Sequence, residues 1–398
     1  MLSYDSKQIA GELFPKAVEY RRHFHKNPEL SFQEVHTAEY IRARLKELGI
    51  PMLEGISGNS VAAVINGGTP GPNVAFRADI DALPITETGD KPYCSVNPGV
   101  MHACGHDAHT AILLCLAEAL AAQCGSMRGK VTLLFQQAEE HMPGGALGLI
   151  EDGALNGVDV IFGLHMTGQI QTGTVSVTYG PRMASVDSFK VKIHSTGGHG
   201  SFPQITADPI TTAAAIIQKT QLIVTKKTSP MEPLLVNICG IRSNTFAGNI
   251  IPSEVELAGM VRCFSPEIRS NVKSCIQQIV DSECSIGGCE PELKYVSGYP
   301  ALINTERETD AVDSAAKALG LNVEVGNRTM GSDDFARYLE KVPGCYFFVG
   351  CGNREKGIVG KPHTPDFDLD EDAMKVGLAC LLETYKLYTA SAPEEPGK

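Results

Sequence analysis

Val74-Ala75-Phe76-Arg77, the stretch from Asp107 to about Gln123, and Val131-Thr132-Leu133-Leu134-Phe135 read in succession as strand, helix and strand. The two outer runs are short and apolar, as buried strands are, and the middle stretch is amphipathic over a helix's length. Working outward, Val61-Ala62-Ala63-Val64-Ile65 is a further strand, set off from Val74 by a Gly/Pro turn. Asp159-Val160-Ile161-Phe162-Gly163 and Cys345-Tyr346-Phe347-Phe348-Val349 are two more, with a helix at 306–319. Residues 6–48 carry apolar side chains at helical spacing, and the run Glu39 to Leu48 meets Gly49, a helix stop. Strands alternating with helices predict an α/β domain with a largely parallel central sheet.

Near Arg182 the pattern changes. Val186, Phe189, Val191 and Ile193 mark a half-buried strand. A helix at about 208–225, strands near 234–239 and 254–262, a helix at 266–283 and a strand near 292–296 follow. The order β-α-β-β-α-β is the ferredoxin-like pattern. Residues 184–296 are therefore expected to form an inserted α+β domain, dividing the first domain into 1–183 and 297–398. Residues 392–398 read as a disordered tail.

The 398 residues are more than one ordinary core needs. A hydrophobic share of 43% and a charged share of 20% describe a globular chain. The net charge of −12 argues against a nucleic-acid surface. The longest apolar stretch, Ala111 to Ala122, is broken by Glu118 and is too short to span a bilayer, so no membrane partner is expected. The N-terminus lacks the basic and apolar regions of a signal peptide, and the twelve cysteines read as reduced thiols. A cytoplasmic location is expected. Cys115, Cys239, Cys275 and Cys380 lie among apolar residues and are expected in the core.

The chemistry concentrates in Met101-His102-Ala103-Cys104-Gly105-His106-Asp107-Ala108-His109. Cys and His bind borderline-soft divalent metals. Cys104 and His106, two apart at the start of a helix, can point into one pocket. Asp107 suits a helix N-cap, and His109, one turn on, can orient a ligand from behind. Asp79 and Asp81 follow one strand, Glu139 and Glu140 another, and His165 ends a third. In open α/β sheets, sites gather outside the carboxyl ends of strands. An isolated Glu-Glu is usually a solvated loop start. Here Met142-Pro143-Gly144-Gly145-Ala146 follows, and its glycines permit close backbone approach. One glutamate can then bind metal while the other takes a proton from water. His363, fenced by Pro362 and Pro365, is a candidate last ligand. His23 and His25 face different ways on a helix and are not assigned to the site. In the inserted domain His199 sits on a Gly-rich bend, while Asn249 and Arg262 are polar candidates. An arginine fork suits a carboxylate. These residues predict a metal-dependent hydrolase.

Five strings together resemble one family: Phe76-Arg77-Ala78-Asp79-Ile80-Asp81-Ala82-Leu83-Pro84, His102-Ala103-Cys104-Gly105-His106-Asp107, Ala138-Glu139-Glu140, Gly163-Leu164-His165 and Gly331-Ser332-Asp333-Asp334-Phe335. It is the dinuclear metallopeptidase and amidohydrolase family of aminoacylases, carboxypeptidase G and succinyl-diaminopimelate desuccinylase. Within it, the strings are similar to the branch of hippurate hydrolases, N-acetyl-diaminopimelate deacetylases and indole-acetyl-amino-acid hydrolases. The resemblance covers about residues 20–385. It implies a zinc-peptidase-like catalytic domain with an inserted lid or dimerisation domain. It implies two divalent ions per subunit, of zinc, manganese, cobalt or nickel, with Cys104 bridging and His106, Glu140, His165 and His363 completing the sites. Glu139 would be general base and then acid, and Asp81 would orient a ligand. His199 would polarise the scissile carbonyl, from this chain or a partner subunit. Asn249 and Arg262, with the chain at Gly331 and Ser332, would hold a substrate carboxylate. Gln137 stands where the branch usually has Pro, and Met166 where smaller residues are common; neither is a ligand position. The implied activity is hydrolysis of the amide bond of N-acyl amino acids. The alternative is a di- or carboxypeptidase on small peptides, and beyond that a non-catalytic metal-binding or thiol-sensing protein with an oxidisable Cys104. An exposed edge strand on the inserted domain leaves room for a homodimer or homotetramer.

Overall fold

A computed structural model describes residues 4–359 and 361–391; the expected tail at 392–398 lies outside the described residues. In chain order the strands of its two larger sheets are β1 (Val61–Asn66), β2 (Thr69–Asp79), β3 (Arg128–Gln136), β4 (Val160–Gln171), β5 (Thr174–Val177), β6 (Ser185–His194), β7 (Leu234–Ser243), β8 (Glu254–Cys263), β9 (Glu290–Ser297), β10 (Asn322–Val325) and β11 (Gly344–Gly352). The longer helices are α1 (Ser6–Lys26), α2 (Val35–Glu47), α3 (His106–Ala122), α4 (Pro209–Leu222), α5 (Pro266–Gly287), α6 (Glu306–Ala318) and α7 (Asp372–Ser391).

The chain divides into two compact units. Among the described residues, the first holds those up to Arg182, 303–327 and those from Asp333 onward; the second holds 183–302 and 328–332. The first unit is built on a seven-stranded sheet of order β1-β3-β2-β4-β11-β5-β10. β2 runs parallel to β3 and β4, β4 to β11, and β5 to β10. Only the β1–β3 and β11–β5 pairings are antiparallel. β2 is exposed at its start and buried from Asn73 onward, because its later residues lie in the middle of the sheet. In register, Asp79 stands opposite Gln136. The ends of β2 and β3 are thus level, and the acids that follow them leave the sheet at the same edge.

α3 is buried along nearly its whole length, from His106 to Leu120. Its apolar side chains join those of α1, α7 and the sheet in one core. Its entry is a correction to the expected cap. Gly105 is the N-cap, at φ +93°, and no side chain caps the helix. Asp107 lies inside the first turn and instead pairs with Arg21 Nε at 2.9 Å and His25 Nδ1 at 2.8 Å. All three side chains are buried. His23 stacks on Tyr40 at 3.9 Å between ring centroids.

The second unit is a four-stranded antiparallel sheet of order β9-β6-β8-β7, carrying α4 and α5. Chain order and sheet order together are ferredoxin-like. On β6, Phe189, Val191 and Ile193 enter its core with Ile216 of α4 and Ile276 of α5. Caps anchor both helices: Asp208 accepts from the Ile210 N–H and Ser265 from the Ile268 N–H. A short ribbon pairs Gly198–His199 with Ile250–Ile251. This ribbon, β5 and β10 are too short to be read from sequence period. Every cysteine is a free thiol. Cys239 is exposed, not in the core, because edge strand β7 turns that face outward, and Cys275 is half-buried. Among the described residues no helix is long and apolar enough to cross a membrane.

Candidate metal centre

The first unit gathers His, Cys and carboxylate side chains at the edge where β2 and β3 end. Cys104, His106 and His165 bring donor atoms within 4.8 Å of one another. Cys104, Glu140 and His363 do the same. Cys104 is common to both groups, so its sulfur stands between two places that could hold a cation. A third group joins His106, Glu139 and Glu140. The five donors expected from sequence are thus brought together.

Each imidazole is held by a second contact. His106 Nδ1 lies 3.0 Å from the Asp81 carbonyl and 3.2 Å from Asp81 Oδ1, both acceptors, so its proton sits on Nδ1. Its Nε2 is buried and has no hydrogen-bond partner. A bare, buried nitrogen facing thiol and carboxylate is costly unless a cation meets it, and this is the observation that fits a metal. His165 donates from Nδ1 to the Met166 carbonyl at 2.7 Å, which leaves Nε2 to face Cys104 Sγ at 3.5 Å. Burial holds His165 neutral, with its pKa lowered to about 3. His363 Nε2 lies 3.1 Å from Glu140 Oε1, on a backbone at φ +65°. His165 is a correction in placement, since it sits within the long strand β4 instead of ending one.

Asp81 accepts from Ser31 Oγ at 2.7 Å and from the Glu140 N–H at 3.0 Å, both at Oδ2. Its two oxygens therefore serve His106 on one side and the Glu140 backbone on the other. His109 donates from Nδ1 to Asp79 Oδ1 at 2.6 Å and accepts the Met166 N–H at Nε2, 2.8 Å away. It ties β2 to the residue after His165.

Glu139 is buried, and its carboxyl is pushed well above the usual range, by burial first and then by the charges of Asp333 and Glu140. Behind it lies a network that sequence reasoning left unassigned. Arg77 reaches Gln136, Asp79 and Asp334 at 2.9, 2.6 and 2.8 Å, and Tyr346 donates to Asp333 at 2.6 Å. The Asp333-Asp334 pair in the quoted string was the available signal. The close approach expected at Gly144-Gly145 is present: a Cβ at Gly144 would lie 2.3 Å from Asp334 Oδ2, and one at Gly145 2.1 Å from the Gln137 carbonyl.

The remaining candidates belong to the second unit. His199 is exposed on the short ribbon, opposite Ile250, and its Nδ1 accepts the Ser201 N–H at 3.1 Å. Asn249 adjoins it, its carbonyl accepting the Gly200 N–H at 2.8 Å. Arg262 on β8 donates to the Met330 carbonyl and Ser332 Oγ, each at 3.1 Å, which places it against the Gly331 turn.

A largely parallel sheet with a Cys/His/carboxylate cluster at its edge defines a metallohydrolase. Residues 75–386 match the model of peptidase family M20/M25/M40. Thermostable carboxypeptidase 2 of Saccharolobus solfataricus is 40% identical over 363 residues, 90% of this chain and 92% of its own. The N-acyl-L-amino acid amidohydrolase of Geobacillus stearothermophilus is 39% identical over 304 residues, 76% of this chain and 82% of its own. The crystal structure of the Bacillus subtilis YXEP protein, described as a dinuclear metal-binding peptidase of the M20 family, superposes with a TM-score of 0.84 at 34% identity, covering 96% of this chain and 99% of that one. The chain belongs to peptidase family M20/M25/M40. It is a metal-dependent hydrolase of amide bonds that takes two divalent ions and small-molecule substrates.

Proposed function

We propose that this enzyme cleaves the amide bond of N-acyl amino acids, with Cys104, His106, Glu140, His165 and His363 as ligands and Glu139 as base. The observation that carries the reading is the position of Cys104 in both donor groups, with the buried Glu139 alongside. Two divalent ions held there, of zinc, manganese, cobalt or nickel, supply Lewis acidity and bring a water's pKa down toward about 7.

The protein residues do the rest. A Glu139 oxygen takes the proton of the attacking water and later delivers it to the leaving nitrogen. Asp81 fixes the His106 tautomer and the Glu140 backbone. His199 polarises the scissile carbonyl, from this chain or from a partner subunit in a homodimer or homotetramer. Arg262 and Asn249, with Gly331 and Ser332, hold the free carboxylate of the substrate. The enzyme works in the cytoplasm. A second reading, a carboxypeptidase of small peptides, is favoured by the similarity to thermostable carboxypeptidase 2.

The test is amine release from a panel of N-acyl amino acids and dipeptides, with Mn²⁺ or Zn²⁺ and a chelated control. Preferred release from N-acyl amino acids supports the proposal, and preferred cleavage of dipeptides selects the second reading. Glu139→Gln is expected to keep its metal and lose about 10²–10⁴ in kcat. Wild-type turnover by that variant would remove Glu139 from the role.

A further inference from the structure

Ala138 joins the end of β3 to Glu139, and its φ is +54°. For a residue with a Cβ, that left-handed conformation is disfavoured by a factor of about 5–30. Among the described residues the other non-glycine residues with positive φ are Phe32 and His363. All three border the donor cluster: Phe32 follows Ser31, which bonds Asp81, and His363 is itself a donor. Backbone strain of this kind persists only where surrounding contacts hold it.

The contact at Ala138 comes from far away in sequence. Its N–H donates to Glu34 Oε1 at 2.7 Å, and both residues are fully buried. Glu34 stands at the N-cap of α2 but makes no capping bond there with its side chain. Its other oxygen accepts from Asn59 Nδ2 at 3.3 Å. The flanking residues are fixed separately. The Gln137 N–H donates to Ser60 Oγ at 3.2 Å, and the Glu140 N–H donates to Asp81 Oδ2 at 3.0 Å. Between those anchors lie Gln137, Ala138 and Glu139, and of these Ala138 alone is in the left-handed region, where the chain turns.

We propose that Glu34 is a positioning residue of the reaction: its carboxylate holds Ala138 in the left-handed conformation that aims Glu139 and Glu140 into the site. This rests on the proposed roles of Glu139 and Glu140. A buried acid that neither caps its own helix nor touches the donor atoms then has a defined task.

The test compares Glu34→Ala, Glu34→Gln, Ala138→Gly and the Glu34→Ala/Ala138→Gly pair. The readouts are Mn²⁺ affinity by titration of the metal-stripped protein, then kcat and KM on the best substrate of the panel. Glu34→Ala is expected to weaken Mn²⁺ binding and lower kcat about tenfold, with KM changed less. Glycine takes a positive φ without strain, so in the Ala138→Gly background the same change is expected to cost only about twofold. Glu34→Gln keeps an oxygen for the Ala138 N–H and is expected to stay within about threefold of wild type. The proposal is overturned if Glu34→Ala binds Mn²⁺ as wild type does, or if its loss is the same in the Ala138→Gly background. It is equally overturned if Glu34→Gln loses tenfold, an outcome that stands even where Glu34→Ala does not fold. The Mn²⁺ titration needs no turnover. An active Glu139→Gln would therefore remove the base role of Glu139 from both readings, while the aiming of Glu140 is still decided by Mn²⁺ affinity.

Discussion

Asp81→Asn replaces one carboxylate oxygen with an amide NH₂ and changes almost no volume. Oδ2 accepts two donors, Ser31 Oγ at 2.7 Å and the Glu140 N–H at 3.0 Å. Oδ1 faces His106 Nδ1 at 3.2 Å. An amide has a single oxygen, so one side must fail. With NH₂ toward Glu140, donor meets donor and the backbone before Glu140 loses its anchor. With NH₂ toward His106, the imidazole is pressed to carry its proton on Nε2, the nitrogen that now has no partner and would bind metal. Partners behind metal ligands are worth about 10–100-fold in metal affinity, or about 1.4–2.8 kcal/mol. Asp81→Asn is expected to lose that much in a Mn²⁺ or Co²⁺ titration of the metal-stripped protein. Because the Asp81 carbonyl still accepts from His106 Nδ1 at 3.0 Å, the loss should fall toward the lower end. Unchanged affinity in Asp81→Asn would refute the reasoning, since no orientation of the amide satisfies both sides.

Two predictions concern stability at the entry to α3. Arg21 is fully buried and reaches Asp107, Asp368 and Glu371 at 2.9, 2.7 and 3.2 Å. Arg21→Met leaves the Asp107 carboxylate buried without its cation and should cost about 3–5 kcal/mol, on the order of 10 °C in thermal unfolding. A loss below about 1 kcal/mol would show that water or His25 replaces the guanidinium. The second concerns pH. Burial alone would raise Glu87, but the hydrogen bonds from His25 and the Ser95 N–H outweigh it and hold the carboxyl down at about 2. A carboxyl depressed on folding contributes stability above its unfolded value, near 4.5, and loses it as pH falls toward 2. Wild type should therefore exceed Glu87→Gln by about 2 kcal/mol at pH 6, with the gap closing between pH 5 and pH 2 in denaturant titrations. A gap independent of pH would rule out the linkage.

The α/β class, the ferredoxin-like order and the candidate donors were legible because each depends on local pattern, and the family resemblance singled out five of those candidates as ligands. A buried strand needs a mainly apolar run, as at Val131–Phe135, and the half-buried β6 alternates. Cys104 and His106 are close in sequence, so their chemistry could be seen without a fold. What could not be read has one cause in each instance. Asp107 has the composition of an N-cap, yet Arg21 and His25, 86 and 82 residues away, claim it for a buried ion cluster. Cys239 sits among apolar neighbours, yet its strand lies at a sheet edge.

The sequence by itself determined which side chains are available to hold metal and move a proton, since donor chemistry belongs to the residue. Tertiary structure alone decided how they are aimed. The Asp79–Gln136 register levels two strand ends, Asp81 selects the His106 tautomer, and Glu34 meets Ala138 across 104 residues. Those are distances and directions between groups far apart in the chain, and no local pattern encodes them.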